Sequence, residues 1–247
     1  MTAIVTGEAY FRAITGNASD RRARVAFQQL VLKIARPGAR LFDFGSGPGI
    51  DARFYAERGF AVEAYDVDPE MRAFFAVYCR EFIETGRIAL YRGDYREFLA
   101  HEAIEGTGGI ELITSNFAPL NLVPDLPELF GKFHALAAPD GQVLASVLSP
   151  YCIGDLKYRW AWRNAPRLWR HGSYTLPGPR FPSTRRTLAN FAAHSAPYFV
   201  LERVYRGLPP RPGRDAIGVD VRRGVGFSWL HAITSQFMFL LFRRAPL

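Results

Sequence analysis

Cysteine is scarce. The 247 residues hold two, Cys79 and Cys152. They make no metal-spaced pair, and none of the five histidines (His101, His134, His171, His194, His231) stands at metal-ligand spacing from another. A disulfide scaffold and a structural zinc are therefore not expected, no metal is assigned, and a reducing cytoplasm is the expected compartment. Long apolar runs are also lacking. Stretches such as residues 237–242 fall far short of the roughly 20 residues that cross a bilayer. Residues 1–13 have no basic start and no continuous apolar stretch, so no secretory leader is expected. Acidic side chains thin out where basic ones gather: residues 1–150 carry 15 basic and 19 acidic groups, residues 151–247 carry 16 and four. The net charge of +8 thus belongs to the C-terminal part, and the N-terminal part is mildly acidic.

What is present is a core. Apolar residues make up 49% of the chain, which excludes global disorder, and the length suits one well-cored domain carrying an insertion. Residues 41–49 read LFDFGSGPG. A short apolar strand over about 40–44 runs into three glycines at spacing two, Gly45, Gly47 and Gly49, and a helix over about 50–58 follows. Glycines here permit positive φ and let backbone N–H groups approach a ligand at a helix N-terminus. The spacing is G-x-G-x-G. A dinucleotide fingerprint would place its third glycine at Ile50, which disfavours a dinucleotide-dependent oxidoreductase. Asp43, two residues before the first glycine, would repel a pyrophosphate and suits a cationic ligand.

Strands and helices then alternate. A second strand over 60–65 ends at Asp66, 17 residues beyond Gly49, where a carboxylate can accept from both hydroxyls of a ribose. Asp68-Pro69 opens a helix over 69–85, with the aspartate as cap and the proline at its first position. A third strand, 88–91, leads to Gly93-Asp94-Tyr95 and a helix over 95–103. A fourth, 110–114, ends in SNFAPLN, residues 115–121. A helix over 125–137 precedes a Pro-Asp-Gly turn at 139–141 and an apolar fifth strand. Ahead of all this, Asp20 is a plausible cap for a helix over 21–35 whose apolar residues recur at helical spacing.

The combination D-x-G-x-G-x-G, a carboxylate after the second strand, an acidic residue after the third and Pro-Asp-Gly before the fifth resembles the class I S-adenosylmethionine-dependent methyltransferases, small-molecule and lipid-type members in particular. The resemblance covers about 40–150 and extends more weakly to 197–205 and 235–243, which look like the family's last two strands. It implies a Rossmann-like, mostly parallel seven-stranded α/β sheet flanked by helices, in one domain. Residues 1–39 would form an N-terminal helical cap, 40–150 the cofactor-binding core, 151–190 an insertion between the fifth and sixth strands, and 191–247 the last two strands. It implies S-adenosylmethionine as cofactor, held by Asp43, Gly45, Ser46, Gly47, Gly49, Asp66, Val67, Asp94, Tyr95, Asn116 and Phe117. Asp94 also suits a helix cap. Asn116-Phe117-Ala118-Pro119 departs from the Asn/Asp-Pro-Pro-aromatic pattern of the N6-adenine and glutamine methyltransferases, which argues against those substrates.

Residues 151–190 interleave arginine with Trp160, Trp162, Trp169 and Tyr174. Insertions at this place commonly cover the acceptor in the family. Three readings stand open: a lid over an anionic or aromatic substrate, a segment lying on a membrane surface, or an RNA-docking face. Tyr10, Asn121, Arg163, Arg167 and Arg170 are the candidate acceptor contacts. His171 is the candidate general base, with Tyr174 beside it. The expected function is methyl transfer to a small organic or lipid-like acceptor, in the cytoplasm or peripheral to a membrane. The alternatives are an RNA methyltransferase and a non-catalytic cofactor-binding partner subunit.

Overall fold

The computed structural model describes residues 6–100, 109–178, 180–206, 219–220 and 236–246. Two helices lead, α1 (Gly7–Gly16) and α2 (Ala18–Ile34). There follow β1 (Arg40–Phe44), α3 (Ile50–Ala56), β2 (Ala61–Tyr65), α4 (Pro69–Tyr78), α5 (Arg80–Glu84), β3 (Ile88–Leu90), α6 (Tyr95–Ala100), β4 (Ile110–Ser115), α7 (Leu126–Leu136) and β5 (Ala137–Leu148). The insertion contributes α8 (Arg159–His171) and the strands β6 (Ser173–Leu176) and β7 (Ser183–Arg186). The chain closes with α9 (Leu188–Ser195), β8 (Phe199–Arg206), the two-residue β9 (Val219–Asp220) and β10 (Phe237–Arg244).

The main sheet has the order β3-β2-β1-β4-β5-β10-β8-β9. The first five strands pair parallel, and β10, β8 and β9 join antiparallel. This is the expected seven-stranded, mostly parallel Rossmann-like sheet with one short extra edge strand. Alternation along the strands sorts the core onto two faces. Leu41, Val62, Phe239 and Leu241 pack with Phe27, Tyr55 and Phe75 under α2, α3 and α4. Phe42, Phe44, Leu240 and Phe242 pack with Phe98, Phe130, Phe133 and Phe191 under α6, α7 and α9. Helices therefore cover both faces, as a parallel sheet requires.

Three local expectations are corrected. The cap of the second helix is Asn17, whose side chain accepts from Ser19 and Asp20 N–H, so the helix starts three residues earlier and Asp20 lies in its first turn. The residues before it form α1, capped by Thr6 and packed on α4 through Phe11, whose ring centroid lies 5.3 Å from that of Phe74 and 5.1 Å from that of Tyr78. The helix expected over 69–85 breaks at Cys79, with ψ near 14°; there the thiol sits against Gly49 and donates to its carbonyl at 3.5 Å. The Pro-Asp-Gly turn is absorbed into β5 as a bulge. The register steps from Ile110↔Ala137 to Leu112↔Gln142, so β5 spends three more residues than β4 across the step. The expected helix over 95–103 is seen as far as Ala100; its remainder, with His101, lies outside the described residues, as does His231.

Candidate cofactor and acceptor site

The glycine loop lies at the carboxyl end of β1, between β2 and β4, where sheets of this kind take ligands. Gly45, Gly47 and Gly49 all have positive φ, at 72°, 54° and 88°. Their surroundings differ. A Cβ on Gly45 would lie 2.3 Å from Pro119 Cγ, and one on Gly49 2.7 Å from Phe75 Cδ2. Those two glycines let protein pack against protein. At Gly47 an added Cβ would meet a single described atom, Tyr10 Cε1 at 4.0 Å. Gly47 thus faces an open cleft whose far wall is Tyr10 of α1. Burial raises the pKa of that tyrosine, with Asp66, Asp20 and Asp51 adding to the effect and Arg24 opposing it.

The loop is fixed from β2. Gly45 and Ser46 both donate to the Tyr65 carbonyl, at 2.8 and 3.0 Å. Gly47 donates to Asp66 Oδ2 at 2.7 Å, while Asp68 N–H donates to Asp66 Oδ1 at 2.8 Å. Burial pushes Asp66 up to about 6 against the lowering effect of the Gly47 N–H. Val67, the next residue, is exposed, and its carbonyl accepts from Arg72 at 2.9 Å. Farther along the cleft edge, Asp94 Oδ1 accepts from Glu97 N–H at 2.9 Å and Glu97 Oε2 accepts from Asp94 N–H at 2.7 Å, a reciprocal capping box at the start of α6. Tyr95 follows with its hydroxyl buried and unpartnered.

Behind the loop lies a buried acidic pair that the sequence does not announce. Asp43 is 2% exposed; Oδ1 accepts from Thr114 Oγ1 at 3.0 Å, and Oδ2 has no partner. Asp51, in the first turn of α3, accepts from Arg24, from Gln28 Nε2 at 2.7 Å and from Asn116 Nδ2 at 3.1 Å. Burial, reinforced by the Asp51 carboxylate, pushes Asp43 up to about 8. Asn116 also accepts from Phe117 N–H at 2.9 Å. Phe117 and Ala118 then have φ of 63° and 68°, two consecutive left-handed non-glycine residues at the end of β4. Such strain persists only where surroundings hold it. Here Arg24 lies over the Phe117 ring at 4.5 Å, Phe237 meets that ring edge-on at 5.5 Å, and Ala118 N–H donates to the Ser146 carbonyl at 3.0 Å. Arg24, Gln28 and Asp51 were missed in the sequence; an arginine and a glutamine four apart on one helix face are the only signal they leave.

The insertion roofs this region. The β6–β7 hairpin is fastened to the ends of β4 and β5: Asn121 Nδ2 donates to the Thr184 carbonyl at 2.7 Å, and Asn121 Oδ1 accepts from Leu148 N–H at 2.9 Å. Asn121 is fully buried and its amide joins backbone to backbone. Arg186 donates to the carbonyls of Leu120 and Val123 at 3.2 and 3.1 Å. Arg185 donates to the Ser149 carbonyl and lies 3.3 Å from Asp155. On the other side Arg180 pairs with Asp68. The hairpin loop therefore reaches from the β5 end to the turn after β2. Tyr174 is buried under Trp160, with ring centroids 6.3 Å apart, and burial raises its pKa. His171 ends α8 and is exposed, as are Arg163, Arg167 and Arg170. Among the described residues no hydrogen bond, ion pair or ring contact joins those four to Asp43, Asp66 or Asn116.

The geometry brings together Tyr10, the glycine loop, Asp43, Asp66, Asn116 and Phe117. The Asp66 carboxylate at Gly47, with acidic side chains behind the loop, fits a polar ligand carrying positive charge, and the bare face of Gly47 fits close backbone approach. S-adenosylmethionine, a sulfonium with an ammonium group, has that character. Comparison with known proteins agrees. A methyltransferase domain family model matches residues 17–197. Among solved structures, the Burkholderia thailandensis 1,6-didemethyltoxoflavin-N1-methyltransferase with bound 1,6-didemethyltoxoflavin and S-adenosylhomocysteine is 17% identical, covers 97% of this chain and 84% of its own, and superposes with a TM-score of 0.61. A TehB-like S-adenosylmethionine-dependent methyltransferase from Corynebacterium glutamicum is 15% identical over 96% and 97% of the two chains, with a TM-score of 0.58. An S-adenosylmethionine-dependent methyltransferase from Mesorhizobium loti is 16% identical over 89% and 98% of the two chains, also with a TM-score of 0.58. No curated protein matches in sequence. With the family model spanning most of its length, the chain belongs to the class I methyltransferases, whose cofactor is S-adenosylmethionine.

Proposed function

We propose that this protein transfers a methyl group directly to a small organic or lipid-like acceptor seated between the Asn116–Ala118 turn and the β6–β7 hairpin. The observation that carries this reading is the roof. A hairpin fastened to Asn121 and Leu120 on one side and to Asp68 on the other covers the ends of β4 and β5, an enclosure that suits a small acceptor better than a nucleic-acid strand.

The sulfonium supplies an activated methyl donor. What the chain's own residues contribute is placement, which can account for a large share of the rate by itself. Asp66 offers its carboxylate to a ribose while holding the loop at Gly47, and Asp94 stands where an adenine amino group would reach it. Asp43, bonded to Thr114, fixes the end of β1 behind the glycine loop. Asn116, locked by Asp51 and by Phe117 N–H, fixes the turn on which an acceptor would rest. An acceptor with a proton to lose at neutral pH needs a base, for which His171 is the candidate, with Tyr174 nearby.

Labelled cofactor incubated with metabolite, lipid and RNA fractions tests the reading. Label is expected in the metabolite or lipid fraction. Label confined to RNA would overturn the substrate class. Tight binding of S-adenosylhomocysteine with no label anywhere would favour a non-catalytic partner subunit.

A further inference from the structure

The outer face of the insertion carries features that the roof does not use. In α8 the residues Leu168, Asn164 and Ala161 turn inward, and Leu168 is buried. At 100° per residue, Trp162, Trp169, Ala165 and Pro166 fall on a second strip, and Arg159, Arg163, Arg167 and Arg170 on a third beside it. Both outer strips face solvent. Trp162 is 64% exposed and Trp169 93%. The apolar strip continues into the preceding turn, where Ile153 and Leu156 are exposed at 55% and 48% and Trp162 Nε1 donates to the Leu156 carbonyl at 2.8 Å. Asp155 is the lone acidic residue between 151 and 190, and it is occupied by Arg185 at 3.3 Å. Among the described residues no ion pair joins an acidic group to the arginine strip.

Water is a poor partner for exposed indoles, and a protein core would not accept four arginines beside them. A boundary where apolar tails meet anionic headgroups accepts both: tryptophan sits at the interface and arginine binds the negative surface. No described helix is long and apolar enough to cross a membrane, so the contact would be one of lying on the surface. We infer that α8 and the 153–156 turn form a docking face for an anionic lipid surface, with Trp162 and Trp169 entering the interface and Arg159, Arg163, Arg167 and Arg170 binding headgroups. The inference concerns the outside of the insertion and stands whichever acceptor lies beneath it.

The test is co-sedimentation of the full chain with vesicles of phosphatidylcholine alone and of phosphatidylcholine with phosphatidylglycerol. Binding is expected to the anionic vesicles and not to the neutral ones, with a blue shift in tryptophan emission, and to weaken as salt rises. Replacing Arg163, Arg167 and Arg170 by Gln should weaken vesicle affinity by roughly a hundredfold, at about fivefold per cation near the surface. Trp169→Ala removes a side chain with almost no protein contact, so it should fold normally by circular dichroism and still lose vesicle binding. A folded wild-type protein that stays in the supernatant with anionic vesicles overturns the inference. So does unimpaired vesicle binding by folded Trp169→Ala, or capture of single-stranded RNA by this face in place of vesicles.

Discussion

The backbone N–H of Gly47 donates to Asp66 Oδ2 at 2.7 Å, so the residue expected to receive a ribose also sets the shape of the loop that approaches it. Asp66→Ala should then remove a charged acceptor and loosen the loop together. Calorimetry with S-adenosylhomocysteine should show a loss of about 1.5–3 kcal/mol, the range for a hydrogen bond to a charged group. The pH dependence follows from burial, which raises Asp66 to about 6. A carboxyl whose folded value lies above its unfolded one contributes stability below the unfolded value and loses it as pH rises through about 6. Ligand affinity runs the other way, since the ionised form is the better acceptor. Affinity should fall as pH drops below about 6, and Asp66→Asn should flatten both profiles.

The three loop glycines should separate under mutation. Gly47→Val places a branched side chain into the cleft opposite Tyr10 and should abolish S-adenosylhomocysteine binding, with a moderate loss of thermal stability from its positive φ. Gly49→Ala drives a methyl to within 2.7 Å of Phe75 Cδ2 and 2.8 Å of Cys79 Sγ, both in the core, so its main effect should be a lowered melting temperature. Equal melting temperatures for Gly49→Ala and wild type would show that the α4–α5 break at Cys79 yields easily.

Asp43 leads to a stability prediction of definite sign. Burial and the Asp51 carboxylate raise it to about 8, above its unfolded value of 3.8. Its contribution is present at low pH and is lost as pH rises through about 8, because ionisation must then occur beside a second buried carboxylate. Asp43→Asn keeps the acceptor for Thr114 and cannot ionise. Its melting temperature relative to wild type should rise steadily between pH 7 and 9. A constant difference across that range would show that Arg24 already compensates both carboxylates.

Much of this was legible because local chemistry punctuates the chain. An apolar run closed by Gly45 and one closed by Asp66 placed β1 and β2 within a residue or two, and Asp68-Pro69 marked the start of α4 through its cap and first-turn proline. What escaped depends on contacts distant in sequence. Asp51 meets Arg24 27 residues away and Asn116 65 away, and no spacing rule relates them. The helix break at Cys79 has neither glycine nor proline to signal it; it arises because the thiol must fit against Gly49. Asn17 outcompeted Asp20 as a cap because α1 ends at Gly16 and delivers Asn17 in extended conformation. Pro166 lies inside α8, and the helix runs through it on the exposed side. Asn121 looked like an acceptor contact from its place after β4. Its amide instead joins Thr184 to Leu148, a pairing of segments that only the folded hairpin creates.

His171 offers a test of chemistry against position. It is exposed at the end of α8. If the acceptor is a hydroxyl and His171 takes its proton, His171→Ala should reduce turnover by about 10²-fold or more and leave S-adenosylhomocysteine affinity unchanged. Turnover of a hydroxyl acceptor at the wild-type rate in the variant would rule out the base role and leave positioning as the chain's contribution.

The last prediction concerns the fastening of the roof. Arg180 pairs with Asp68 across the mouth of the cleft, and Asp68 also caps α4 by accepting from Glu70 N–H at 2.9 Å. Substituting Asp68 would disturb the helix as well as the roof, so Arg180→Ala is the cleaner variant. The arginine side chain is about a third exposed, at 36%, and pairs of that kind contribute at most about 1 kcal/mol to stability. The melting temperature should hardly move. The effect should appear in kinetics, because a hairpin still anchored at Asn121 and Arg186 but released at its tip can open while the rest of the fold stays intact. Dissociation of S-adenosylhomocysteine, followed by stopped flow, should speed up by about fivefold, the factor that corresponds to 1 kcal/mol. Wild type should approach the variant's rate as salt rises, since screening weakens the same pair. A variant rate equal to wild type at low salt would mean that the hairpin tip does not control access to the cleft.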